Sequence, residues 1–140
     1  MHRAAFGDVE LDYEITGAGE PIVLVHHGAG RNWFGPLLEE PVLVDRYCVL
    51  RYHRAGYGAS CRLSGPLTFN READTFRAFL DHLRFESAHV VGHSASGCIA
   101  LHLALHVPER VRSLILLENR RGLAAGMVAF LSRHAVTAPT

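Results

Sequence analysis

Apolar and polar residues alternate from Val9 to Thr16, and a shorter run, Arg3 to Phe6, precedes them across Gly7-Asp8. A period of two on either side of a glycine-containing pair predicts strand, tight turn, strand. Four later runs, Ile22–His26, Tyr47–Tyr52, Ala88–Gly92 and Val111–Leu117, are short and mostly apolar. Such runs suit strands covered on both faces. Between the second and third of them the period changes. Phe69, Ala73, Phe76, Leu80 and Leu83 recur at three and four, which predicts a helix capped by Thr68 or Asn70. Ala95–His106 is helical in pattern and apolar nearly all round, so it is expected to be buried, ending before Pro108. Leu123–Ala135 again has helical periodicity. Strands alternating with helices imply an α/β, three-layer fold: a mostly parallel sheet with an N-terminal antiparallel hairpin and helices on both faces. Sites in such sheets lie beyond the carboxyl ends of the strands. Chemistry is therefore expected from His26, His53 and Gly92 onward and at Glu118.

The chain has 140 residues, 49% hydrophobic and 20% charged, enough for one core and a single domain over 1–140. All fourteen basic residues are Arg, and they balance fourteen acidic ones. A net charge of zero argues against nucleic acid or an acidic membrane as partner. Three cysteines without CxxC spacing argue against a disulfide framework. No run reaches the ~20 apolar residues of a membrane span, and no apolar leader opens the chain, so the expectation is a soluble, cytoplasmic protein. Neither GxGxxG nor GxxxxGK occurs, so no nucleotide cofactor is expected. His102 and His106 stand one helical turn apart, but no Glu follows the first in the zinc-protease pattern, and no metal is expected.

The strongest chemical signal is Val-Val-Gly92-His93-Ser94-Ala95-Ser96-Gly97, lying between a strand and a helix. A serine on a sharp strand-to-helix turn is held above the sheet, and small residues flank it because the two backbones nearly touch. The Ala95 amide, at the helix start, then faces negative charge developing near the serine oxygen. Ser96 stands where a second glycine is usual, and the expectation is a preserved, slightly more strained turn. His26-His27-Gly28-Ala29-Gly30, at the end of a buried strand, is the second signal. Its bend turns an amide, Ala29 the candidate, toward the same spot.

With Pro21-Ile-Val-Leu-Val-His-His-Gly, Arg54-Ala-Gly-Tyr-Gly-Ala-Ser60 and His106-Val-Pro-Glu-Arg-Val-Arg-Ser-Leu-Ile-Leu in order around the turn at Ser94, the chain resembles the α/β-hydrolase superfamily. The likeness runs from about Phe6 to Leu117 and is nearest the small esterases, haloperoxidase-like and lactonase-like members. It implies a truncated α/β-hydrolase fold, Ser94 as nucleophile and the Ala29 and Ala95 amides as the oxyanion hole. His53 departs from the pattern, which usually has Asp there with a structural role.

The family's pattern continues into loops carrying a catalytic acid and a catalytic histidine, whereas this chain stops soon after Leu117. Glu118, at the end of the last strand, is the candidate acid, as dehalogenase-like members place theirs at a similar point. His134, on the tail, is the candidate base. His27, His53, His93 and a histidine from a second subunit are the other sources. Gly28 and Trp33 are expected to line the substrate pocket, with Phe34 beside them. Strand 111–117 becomes an apolar sheet edge, which invites pairing with a second copy through that edge or the tail helix. The expected activity is hydrolysis of small carboxylic esters, and the nucleophile Ser94 argues against routes through an Asp nucleophile. A half-domain that binds or assembles without a working triad is the alternative, as is an incomplete piece of a longer hydrolase.

Overall fold

The computed structural model describes residues 2–26, 34–61 and 65–117. The expected tail helix at 123–135 lies outside them. Six strands form one sheet: β1 (His2–Phe6), β2 (Val9–Thr16), β3 (Glu20–Val25), β4 (Tyr47–Tyr52), β5 (Ala88–His93) and β6 (Val111–Leu117). Their order across the sheet is β1-β2-β4-β3-β5-β6. The hairpin of β1 and β2 is as expected, with Phe6 opposite Val9 and β2 antiparallel to β4. The remaining pairs are parallel. β3 stops at Val25, so His26 is the first residue beyond the sheet.

Period-two sorting holds even in strands buried on both faces. Val23, Val25, Cys48, Leu50, Tyr52 and Val90 share one core with two helices, α2 (Phe69–His82) and α3 (Ser96–His106). Their neighbours Leu24, Val49 and Val91 point the other way, into a smaller cluster with Phe34 and Leu38. That second layer is built from a 3-10 turn at Gly35–Leu38 and the short helix α1 (Pro41–Val44), neither marked by periodicity. Proline at the start of each supplies a preset φ where no amide is needed.

Thr68, not Asn70, caps α2: its side-chain oxygen accepts the Arg71 amide at 3.2 Å. Phe76, Phe79 and Leu80 are fully buried, each contributing about 1.5–3 kcal/mol by removal from water. Phe79, missing from the expected face, receives the rings of Tyr13 and Tyr52 at 5.3 and 5.2 Å. Phe69, expected on that face, is half exposed instead: it is the first residue of α2, and its ring stacks on His102 of α3. Among the described residues β6 pairs only with β5, and Ile115 and Leu117 are partly exposed on it. No helix among these residues is long and apolar enough to cross a membrane.

His102 and His106 lie face to face, centroids 3.7 Å apart and planes 18° from parallel. Parallel rings direct their nitrogen lone pairs side by side, not toward a common point. Burial, and secondarily the His106 imidazole, hold His102 below the ordinary histidine pKa. The unfolded chain therefore binds this proton more readily than the folded one. The resulting stability is complete above about pH 6.5 and is lost as pH falls from there through the folded value. Thermal melts between pH 7.5 and 5.5 are expected to show a steeper loss in the native chain than in His102→Gln. Parallel curves would contradict this.

Candidate active site

At the end of β5 the chain reverses into α3 within two residues. Ser94 carries the turn at φ +53°, a left-handed conformation that a side chain adopts only under constraint. The strain sits on Ser94 alone: Ser96 and Gly97 have no positive φ. The constraint is close packing. A Cβ built on Gly92 would lie 2.7 Å from the Ala100 Cβ, and 2.9 Å from both the Gly97 Cα and the Ser96 carbonyl oxygen. β5 and α3 touch through their backbones, and the chain between them has no room for a wider loop. The Ser94 amide donates to the Leu117 carbonyl at 2.9 Å, extending the β5–β6 ladder into the turn, and the Gly97 amide closes it on the Ser94 carbonyl at 3.0 Å.

Ser94 is half-buried and Ala95 exposed at the carboxyl edge of the sheet. Ala95 has φ −60° and ψ −30°, so its amide belongs to the opening turn of α3, where backbone N–H groups lack helical acceptors. Ser94 and Ala95 are thus the two residues of the junction between β5 and α3. Gly28, Ala29, Trp33, Glu118 and His134, with His27, lie outside the described residues. Phe34 is buried, its ring edge-on to His93 at 6.3 Å, so it packs the second core.

The end of β3 is held by Arg54, whose segment the resemblance includes but whose partners the sequence does not mark. The Arg54 amide donates to His26 Nε2 at 2.9 Å, and Arg54 Nε donates to the His26 carbonyl at 3.2 Å. Arg54 Nη1 reaches the Glu72 carboxylate of α2 at 2.9 Å, both side chains being buried. Tyr57 packs on Arg54 and, edge-on, on His26. A chain of contacts thus runs from α2 to His26, the residue that follows β3. Burial pushes the Glu72 carboxyl above its ordinary pKa, and the Arg54 guanidinium opposes that rise. Burial, reinforced by Glu72, also raises the Tyr52 phenol.

His53, considered as a base, is engaged elsewhere. Its Nδ1 lies 3.1 Å from the Asp12 carboxylate of β2. Its backbone amide bonds to the Asp12 carbonyl at 2.9 Å, and the Ser60 hydroxyl donates to the His53 carbonyl at 2.6 Å. β3 separates β4 from β5, which sets the start of this loop about 10 Å from the Ser94 strand. Asp12 thus supplies a carboxylate beside the position where the resemblance leads one to expect Asp.

Two stability measurements check this geometry. Gly92→Ala is expected to cost about 1–3 kcal/mol in chemical denaturation, because backbone must move to admit the methyl. Glu72→Leu strands a buried guanidinium and is expected to cost about 3 kcal/mol or more, part of it recovered when Arg54→Met is added. Additive losses in the double variant would mean the two side chains are not coupled.

Residues 21–135 match the family model described as alpha/beta hydrolase fold. The Azorhizobium caulinodans protein named "Putative carbamate hydrolase RutD" is 43% identical over 120 residues, 85% of this chain and 44% of that protein. An enol-lactonase from Burkholderia xenovorans LB400 superposes with a TM-score of 0.74 at 26% identity, over 81% of this chain and 45% of that one. A thermophilic esterase from Thermogutta terrifontis gives 0.76 at 29% identity, over 86% and 46%. The chain spans less than half the length of each of these proteins. With the strand order and the strained turn after β5, the family match places this chain in the α/β-hydrolase family.

Proposed function

We propose that the chain carries the nucleophile half of a serine hydrolase acting on small carboxylic esters. The observation that carries this reading is Ser94 at φ +53°, on the turn between the tightly packed Gly92 and the start of α3. Such a turn costs conformational energy that a plain βα connection has no reason to bear. In the proposed reaction the Ser94 oxygen attacks the acyl carbon and a histidine takes its proton. The Ala95 and Ala29 amides stabilise the resulting oxyanion. The same histidine returns the proton to the leaving alcohol as the ester C–O bond breaks. Water then hydrolyses the acyl-serine and releases the acid.

A serine hydroxyl needs such a base, being almost unreactive alone at neutral pH. His134 is assigned that role and Glu118 the orienting carboxylate; Gly28 and Trp33 are assigned to the substrate pocket. The names of the enol-lactonase and the esterase support an ester or lactone as the acyl donor, and the name of the putative carbamate hydrolase makes a carbamate the second donor to assay.

Fluorophosphonate labelling and p-nitrophenyl acetate hydrolysis test the reading. Native protein is expected to label at Ser94 and to turn over the ester, and Ser94→Ala to lose both. Equal hydrolysis by native protein and Ser94→Ala would reject the mechanism. Absence of labelling in folded native protein would favour a binding or assembly half-domain.

A further inference from the structure

The Ser96 side chain occupies a place where the family pattern has glycine, and only 1% of the residue is exposed. Its hydroxyl is not idle in that space. The Ser96 Oγ accepts the His93 amide at 2.8 Å. It has two carbonyl acceptors for its single proton, Val25 at 2.5 Å and His93 at 2.8 Å. Residue pairing between β3 and β5 ends at Val25 opposite Gly92. One step further the strands must part, since β5 turns into α3 while β3 runs out through His26. At that point the Ser96 hydroxyl lies between the two backbones and joins the His93 N–H of one to the Val25 carbonyl of the other.

We infer that Ser96 is a positioning residue for acyl transfer: its buried hydroxyl ties the carboxyl end of β3 to the turn that carries Ser94. The inference rests on the proposed role of Ser94. Two groups must hold a fixed separation for oxyanion stabilisation, the serine oxygen and the amides facing it. One amide starts α3, and the other is assigned to Ala29, four residues after the end of β3 in the sequence. Arg54 holds the His26 carbonyl from the β4 side, and Ser96 holds the neighbouring Val25 carbonyl from the β5 side. Glycine in place of Ser96 would keep the close packing but leave the two strand ends unlinked. Alanine would keep the volume of the Cβ and leave a buried N–H and C=O without the hydroxyl.

The full chain, with Ser96→Ala, Ser96→Gly and Ser94→Ala, is assayed for fluorophosphonate labelling rate, for p-nitrophenyl acetate turnover per labelled site, and for His93 amide exchange by NMR. Loss of the hydroxyl is expected to lower the labelling rate constant and kcat per site by roughly ten- to a hundredfold, with KM within about twofold. Exchange at His93 is expected to accelerate in both Ser96 variants. A purely structural role would give fewer labelled sites with unchanged kcat per site, and that result overturns the inference. Ser96→Gly carries the same comparison if Ser96→Ala fails to fold. Unchanged rates against a native chain that labels at Ser94 overturn the positioning role alone. If native protein neither labels nor differs from Ser94→Ala, the acyl-transfer reading fails and the positioning role falls with it.

Discussion

The approach of β5 to α3 at Gly92 is the contact on which the rest depends. Backbone and methyl groups lie where any added carbon would stand within 3 Å of three atoms. This closeness leaves the chain two residues in which to reverse, and Ser94 takes the left-handed conformation that the reversal demands. A looser junction would let Ser94 relax into ordinary helix or extended geometry. The strain is supported by burial: Ile99, Ala100, Leu103 and Ala104 lock α3 against β5 and its neighbours, so the turn cannot open without exposing that face.

Around this contact the end of β3 is restrained from two sides. Arg54 grips both the ring and the carbonyl of His26, and is itself held by Glu72 from α2. On the other side the Ser96 hydroxyl takes the carbonyl of Val25. A buried arginine–carboxylate pair is weak evidence for stability in itself, because desolvation opposes the attraction. Its directional value is greater. A planar guanidinium with several fixed donors defines where a strand end lies, which a hydrophobic contact of equal area would not. The Asp12–His53 pair does similar work one strand further out, fixing the loop that delivers Arg54.

Much of the fold was legible because it rests on short-range pattern. Alternation marked the hairpin, apolar runs marked the inner strands, and three-four spacing marked α2 to within a residue of its true ends. Elements without a period were missed: the 3-10 turn and α1 are too short for one, and proline sets their conformation locally. Phe69 and Phe79 exchanged their expected environments: Phe69, the first residue of α2, stacks on the His102 ring, while Tyr13 and Tyr52 close over Phe79. Periodicity identifies a face; neighbours from distant sequence decide which residue at its margin is covered.

The amino-acid order alone determined the strand sequence, the helices α2 and α3 that connect β4 to β5 and β5 to β6, and the small residues that let a serine sit on a tight turn. These depend on backbone preferences and on interactions between residues a few positions apart. Tertiary structure decided which polar groups meet: Arg54 with Glu72, Asp12 with His53, Ser96 with Val25. Those partners are 18, 41 and 71 residues apart, and nothing local to either member announces the other. Hydrogen bonds act over about 3 Å, so only the packing of strands and helices into layers can select them.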